Sequence, residues 1–158
     1  MKKKILIALD YDPTAQKVAE AGYVLAKAMN ADITLLHVVA DASYYSSIQY
    51  SPIMGYNSFS ELDMLQPNIS EQLKEGALQF LDNSRKHLGD ETIQTMVTEG
   101  DFATAILDAA VDLHADVIVM GTHSRRGLDK ILMGSVAEKV LRHTSIPIFI
   151  VPTREEKE

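Results

Sequence analysis

The chain has 158 residues, of which 46% are hydrophobic and 23% are charged, and its formal net charge is −7. This length suits one domain, and the acidic balance argues against broad electrostatic binding to nucleic acid or to an anionic membrane surface. Cysteine is absent, which excludes disulfides and thiol chemistry and is compatible with the cytoplasm, where we expect the protein to reside. We predict a single domain over residues 1–153 and a charged tail over residues 154–158.

The start of the chain, MKKKILIALDYD, has three lysines before a short apolar run. About five apolar residues followed by two aspartates are too few for a signal peptide or a membrane span. We therefore predict a first strand at Ile5–Leu9. Asp12 can cap a following helix with Pro13 at its first position, which predicts a helix over Pro13–Met29.

Strand and helix patterns then alternate along the rest of the chain. Further strands are predicted at Ile33–Val39, Thr92–Thr98, Val117–Met120 and Ile146–Val151. Further helices are predicted at Ile69–Leu88, Phe102–Leu113 and Ser135–His143, the first with Asn68 and Glu71 as a capping box. Most strands are continuously apolar, which indicates burial on both faces, whereas Thr92–Thr98 is predicted to be more exposed. The alternation predicts an α/β fold with a parallel sheet, right-handed crossovers and helices on both faces.

Residues 41–68 are the least regular part of the chain. They contain no lysine or arginine and carry the aromatic residues Tyr44, Tyr45, Tyr50, Tyr56 and Phe59. Long segments without a clear pattern are uncommon inside compact domains and tend to be lids, binding loops or disordered insertions. Two interpretations stay open: a lid or partner-binding surface, and a surface excursion that packs its aromatic residues locally.

Two glycine positions predict an anion-binding cradle. Gly121 follows the fourth predicted strand and can turn amide groups toward an anion. Gly134 and Ser135 precede the last predicted helix, whose first amides and positive dipole end also favour an anion. Between Thr122 and His143, five basic residues outnumber two acidic ones: Arg125, Arg126, Lys130, Lys139 and Arg142. The segment suits a phosphorylated ligand, and the alternative is a solvated basic helix face.

The spacing of Gly121, Gly134 and Ser135 is similar to that in the ATP-binding signature of the universal stress protein family, G-x2-G-x9-G-[ST]. The chain resembles this family. The resemblance extends to ILIALD, ITLLHVV, EGDFATAIL and GSVAEKVLRHTSIPIFIVP. It implies a Rossmann-like fold of the adenine nucleotide alpha hydrolase type, with a five-stranded parallel open sheet of order 3-2-1-4-5. It also implies ATP as the ligand, with Mg²⁺ carried by the phosphates.

In that strand order, the crevice for a ligand lies between the carboxyl ends of the first and fourth strands. Asp10 and Gly121 would meet there. Asp10 would repel phosphates and is therefore expected to accept hydrogen bonds from ribose hydroxyls, as the family's aspartate at this place does. Gly134, Ser135 and the basic residues, with Arg125 among them, would take the phosphates. The resemblance further implies that the main chain of Val38 contacts the adenine edge.

Ser124 is a departure from the signature, because it stands where the second glycine belongs. Its hydroxyl can donate to a phosphate oxygen, but its Cβ occupies space that glycine leaves to the ligand. If the position needs a positive φ, serine costs roughly 1 kcal/mol or more. Two functions therefore stay open: a regulatory module switched by ATP occupancy toward an unidentified protein partner, and an interaction module of the same fold that binds no nucleotide.

An ATP-using enzyme is a third interpretation. Beside the predicted phosphates we find Ser135, Ser124 and His123, but no positioned nucleophile or general base, so at most slow hydrolysis is expected. His37 is predicted to be a core or strand-end histidine. The histidines show no metal-ligand spacing with one another or with carboxylates, and we predict no metal site built by the protein.

The last predicted strand, within IPIFIVP, raises the question of its free edge. An apolar edge strand aggregates unless it is covered. The resemblance implies antiparallel pairing with the same strand of a second copy, limited to a few residues by Pro147 and Pro152. The alternative is cover by a helix of the same subunit.

Overall fold

The computed structural model describes residues 1–10, 14–40, 69–122 and 134–153. These residues form a five-stranded parallel sheet of order β3-β2-β1-β4-β5. The strands are β1 (Lys4–Ala8), β2 (Asp32–Val39), β3 (Gln94–Glu99), β4 (Val117–Gly121) and β5 (Ile148–Val151). The helices are α1 (Ala15–Met29), α2 (Ile69–Leu88), α3 (Phe102–Asp112) and α4 (Ser135–His143). The predicted fold and strand order are confirmed.

The central strand is β1. Its Ile7 pairs with Leu35 of β2 on one side and with Val119 of β4 on the other. The chain builds outward from β1 through β2 to β3, then crosses back to β4 and ends at β5. The strand order therefore reverses between β1 and β4, and this is where open α/β sheets bind ligands.

Side chains of the central strands alternate between two buried layers. Ile7 and Val119 pack in the layer that contains the buried faces of α1 and α2. Leu6 and Ile118 pack in the layer that contains those of α3 and α4. All four side chains are fully buried, and each contributes about 1.5–3 kcal/mol by leaving water. The continuous apolar runs of the sequence thus correspond to burial on both faces.

Strand β3 begins later than predicted, because a local turn takes up its expected first residues. The amide and hydroxyl of Thr92 both donate to the carboxylate of Asp90, at 2.9 and 2.6 Å. Thr92 is thereby held outside the ladder, and pairing begins with Gln94 opposite Thr34. Most of β3 is half-buried, as the sequence predicted for this strand.

Strand β5 is also shorter than predicted at its start. The amide of Ile146 donates to Oγ1 of Thr144 at 2.9 Å, and this turn delays the strand. The carbonyl of Pro147 accepts from the amide of Ile118, and the ladder then runs from Ile148.

Helix boundaries agree with the sequence at α2 and α4, whereas α3 ends one residue early, at Asp112. Helix α1 begins at Ala15 with Thr14 as its N-cap, two residues later than the predicted start at Pro13, and Asp12 and Pro13 themselves lie outside the described residues. The same holds for Asn68, for residues 41–68 and for the tail, residues 154–158. None of the helices among the described residues has both the length and the apolar character required to cross a bilayer.

Candidate functional site

Asp10 lies at the reversal point, at the carboxyl end of β1. The ladder between β1 and β4 places Ile7 opposite Val119, so Leu9 comes level with Gly121 and Asp10 one residue beyond. The amide of Leu9 donates to the carbonyl of Leu36 at 2.8 Å, which holds the chain against β2 up to this residue. Asp10 and Gly121 are therefore neighbours at one edge of the sheet, the arrangement that the crevice requires.

His37 fixes the carbonyl of Leu9. Its Nδ1 donates to that oxygen at 2.8 Å, and its ring meets the ring of Phe80 edge-on, with centroids 5.8 Å apart. The side chain is 4% exposed, and burial lowers the pKa of His37 from 6.5 to about 4. His37 is thus neutral at physiological pH and joins the ends of β1 and β2, which confirms the prediction of a core histidine.

The backbone of Val38 faces the crevice side of β2. Successive residues of a strand direct their amide and carbonyl groups to alternate neighbours. The carbonyl of Leu36 accepts from β1, and that of Val39 accepts from Gly100 beside β3, so the groups of Val38 point toward β1. The main chain of Val38 lies two residues beyond Leu36, whose carbonyl accepts from Leu9, and the side chain of Val38 is buried.

Gly121 is the last residue of β4, and neighbouring side chains leave no room for a Cβ at this position. A Cβ there would lie 2.7 Å from Cγ2 of Thr153 and 3.1 Å from Cγ2 of Val18. The described glycines with positive φ are Gly89 and Gly100, whereas Gly121 has the extended conformation of its strand. The structure therefore explains this glycine by close packing of β4, α1 and the chain after β5.

Thr122 is the residue at which three segments meet. Its amide donates to the carbonyl of Val151 at 3.0 Å, and its Oγ1 lies 3.1 Å from both the hydroxyl and the amide of Thr153. Its carbonyl accepts from the amide of Gly134. Thr122 and Thr153 are both buried. Residues 123–133 lie outside the described residues, but both ends of that segment are fixed here.

Helix α4 begins at the same point, with Gly134 as its N-cap in an extended conformation. Glu138 makes the first bond of the helix, to the carbonyl of Gly134 at 3.0 Å. The amides of Ser135, Val136 and Ala137 precede that bond, and the N-cap residue, a glycine, has no side chain to accept from them. Such amides, together with the helix dipole, attract an anion.

Two of the five predicted phosphate-facing cations are described, and both are paired with carboxylates. Lys139 lies 3.2 Å from Asp101, and Arg142 lies 2.6 Å from Glu138. Ser124 and Arg125 lie outside the described residues, as do Arg126 and Lys130. The structure therefore gives α4 backbone amides rather than unpaired cations for an anion.

Sequence reasoning missed Thr122, Thr153 and the N-cap of α3. Asp101 accepts from the amide and hydroxyl of Thr104, at 3.0 and 2.8 Å, and these bonds, with Lys139 after them, lower its pKa. An aspartate directly before a predicted helix could have revealed this cap. No spacing could have paired the two buried threonines. Across the described ranges, no three His, Cys, Asp or Glu side chains converge as a metal site would require.

Comparison with known proteins assigns the family. The model of the universal stress protein family matches residues 1–152. The chain belongs to the universal stress protein family. Among curated members, universal stress protein MJ0531 of Methanocaldococcus jannaschii is 32% identical over 152 residues, which cover 94% of this chain and 81% of that protein.

Solved universal stress proteins share the fold. The structure of MJ0577, also from Methanocaldococcus jannaschii, matches with a TM-score of 0.76 at 25% identity, over 99% of both chains. A universal stress protein in complex with cAMP matches with a TM-score of 0.62 at 18% identity, over 97% of this chain and 98% of that one. This second likeness concerns the fold alone.

Proposed function

We propose that this universal stress protein binds ATP, with Mg²⁺ carried by the phosphates, and acts in the cytoplasm as a dimeric regulatory module switched by nucleotide occupancy. The observation that carries the proposal is the start of α4. Its N-cap is a glycine, which offers no side-chain acceptor to the first three amides, and it lies directly beside the strand-order reversal. A phosphate group at this place would gain both the amides and the helix dipole.

The two ends of the crevice differ in chemistry, which gives the ligand a direction. Asp10 at the end of β1 repels phosphate and suits ribose hydroxyls, whereas the start of α4 suits the phosphates. The main chain of Val38 lies on the far side of Asp10 from α4, because β2 and β4 flank β1 on opposite sides. Base, ribose and phosphates would thus follow one another across three neighbouring strands.

Titration of nucleotide-stripped protein with ATP and Mg²⁺ in a calorimeter tests the proposal. We expect saturable binding that Gly134→Val abolishes, because valine tolerates the extended backbone of Gly134 but places two methyl groups at the start of α4. Ser145→Val is the matched control, since Ser145 is exposed beyond the other end of α4. Absence of binding by the unaltered protein at millimolar ATP would contradict the proposal and favour the interaction module that binds no nucleotide.

The departure at Ser124 gives a second test. If this position needs a positive φ around the phosphates, Ser124→Gly removes a strain of roughly 1 kcal/mol or more and strengthens ATP binding about five- to tenfold. Equal affinity of the two proteins would mean that serine meets the requirement of the site. Product formation would be followed in the same samples, where we expect no more than slow hydrolysis.

Dimerisation is proposed through the outer edge of β5. The carbonyl of Pro147 accepts from Ile118 of β4 and that of Val151 from Thr122 directly after β4, so the backbone groups of Pro147 and Val151 face inward. By alternation, the amide and carbonyl groups of Ile148 and Ile150 face outward. Phe149 is 40% exposed on this strand. Such an edge invites pairing with a second copy, and Pro152 limits the length of that pairing.

Sedimentation velocity tests the dimer. We expect Phe149→Lys to shift the protein toward monomer, because a charged side chain on an edge strand opposes pairing. Leu78→Lys is the control, since Leu78 of α2 is a similarly exposed apolar residue, at 47%, away from β5. A shift of the same size in both variants would contradict the assignment of the interface to β5.

A further inference from the structure

We infer that Thr122 is a positioning residue that couples the end of β5 to the start of α4 through its hydroxyl bond with Thr153. The coupling joins the proposed dimer edge to the proposed phosphate end of the site, and this consequence rests on the proposed function. The coupling itself is a property of the protein without ligand.

The hydrogen bonds of Thr122 reach in two directions. Toward β5, its amide donates to Val151, and its Oγ1 lies 3.1 Å from both the amide and the Oγ1 of Thr153. Toward α4, its carbonyl accepts from the amide of Gly134, the cap residue of that helix. A displacement of Thr153 therefore moves Thr122, and Thr122 moves the first residue of α4.

Packing leaves little room for these groups to adjust independently. Thr153 is 6% exposed, and its Cγ2 lies 2.7 Å from the place where a Cβ of Gly121 would be. Val18 of α1 closes the other side, at 3.1 Å from the same place. Because the methyl group of Thr153 lies against the backbone of β4, its hydroxyl is directed at Thr122. Buried groups in such contact respond together rather than singly.

The bond from Gly134 to Thr122 uses a backbone carbonyl, so replacing the side chain of Thr122 does not remove it. A change at Gly134 in a side-chain variant of either threonine must therefore reflect a change of position. The behaviour of the Gly134 amide in these variants thus distinguishes a positioning role of the threonine side chains from a simple loss of the bond between Gly134 and Thr122. A positioning role also requires that a variant at Thr153, whose hydroxyl and amide contact Oγ1 of Thr122, affects the amide of Gly134.

Amide hydrogen exchange measured by NMR on the full chain without nucleotide tests the inference. We expect Thr153→Val to speed exchange of the Gly134 amide about tenfold, relative to amides of β2 in the same sample, because the variant leaves the buried hydroxyl of Thr122 without this partner. Thr122→Val should act alike, and Thr122→Ser should restore slow exchange because it keeps the hydroxyl. If a valine variant does not fold, Thr153→Ala removes the hydroxyl without branching.

Thr144→Val is the matched control. Thr144 makes its hydroxyl bonds with Ile146 at the opposite end of α4, so its replacement should leave the Gly134 amide unchanged. Unchanged exchange of Gly134 in the variants of both Thr122 and Thr153 would overturn the inference, as would an equal effect of Thr144→Val.

A second measurement connects the coupling to the ligand. ATP affinity should fall several-fold in Thr153→Val and stay close to that of the unaltered protein in Thr153→Ser, which keeps the hydroxyl. This effect is expected although Thr153 lies after β5 and is not part of the proposed phosphate site. Failure of the unaltered protein to bind ATP would refute the proposed function, whereas the exchange experiment decides the coupling by itself. Binding that is equally tight in all variants would contradict the link to the site.

Discussion

The strands of the sheet are held by different interactions where they begin and where they end. The side where they begin is called the amino edge here, and the side where they end is called the carboxyl edge. At the amino edge, exposed ion pairs join Lys2 to Asp32 at 2.9 Å and Lys3 to Asp116 at 3.7 Å. At the carboxyl edge, an exposed pair of Lys139 with Asp101 is accompanied by buried bonds of His37, Thr122 and their partners, which fix the chain. Exposed pairs stabilise little and tolerate movement, whereas buried bonds require defined positions. The edge with the proposed site is thus the one whose geometry is the more constrained.

A cleft of about 340 Å³ lies at the amino edge, lined by Lys4, Asp32, Thr34 and Gln94 among others. None of its lining residues among the described ranges starts a helix, because parallel strands present their amino ends there. Substitutions on both sides measure how far the two edges differ.

The largest effect is expected at Gly121. Gly121→Val should lower the free energy of unfolding by about 3 kcal/mol, because its Cβ would clash with Thr153 and Val18. Urea denaturation measures this value. Combining Gly121→Ala with Thr153→Ser, which removes the nearer methyl group, should be less destabilising than the two single changes added together. Strict additivity would mean that these residues are not in the predicted contact.

The second effect is a pH dependence due to His37. Its pKa is 6.5 when unfolded and about 4 when folded, so the unfolded chain takes up a proton first as the pH falls. The stability that neutral His37 provides is fully present above pH 6.5 and is lost as the pH falls toward 4. Between pH 7.5 and pH 5 the loss is about 2 kcal/mol.

His37→Gln is the comparison for that measurement, because glutamine can donate to Leu9 but does not titrate. Denaturation of both proteins across this pH range should give a steeper slope for the unaltered chain. Parallel slopes would show that another group causes the dependence.

A smaller effect is expected at the cap of α3. Asp101→Ala should cost about 1 kcal/mol of unfolding free energy, because the amide of Thr104 loses its acceptor. Asp101→Asn retains an acceptor oxygen and should cost less. If thermal unfolding shows equal losses, the bond to Lys139 rather than the cap is responsible.

The smallest effect belongs to the amino edge. Asp32→Asn removes the partner of Lys2, and both side chains are more than half exposed. We expect a change below about 0.5 kcal/mol, reduced further by salt. A loss as large as that at Asp101 would remove the distinction between the two edges.

Apolar runs, which are local signals, predicted the strands and helices, whereas the strand order, and with it the meeting of Asp10 and Gly121, came from the resemblance to the universal stress protein family. The sequence did not predict the pairing of Thr122 with Thr153, which exists only because β5 lies beside β4. It also assigned Lys139 and Arg142 to a basic face for phosphate, whereas each has a carboxylate neighbour in the structure. The pair of Lys139 with Asp101 joins distant segments and could not be predicted from spacing, whereas Glu138 and Arg142 are four residues apart within α4, a spacing that the sequence shows.

The central position of β1 affects how the chain folds while it is being synthesised. Its partner β2 follows within a few tens of residues, but Lys4 meets Asp116 across a separation of 112 positions. During synthesis one flank of β1 therefore stays unpaired until most of the chain has left the ribosome. Pairing between such distant segments is slow, and until β4 pairs with β1 the apolar edge of β1 stays exposed. The nascent chain should accordingly be most vulnerable to aggregation, and most in need of a chaperone, just before β4 emerges.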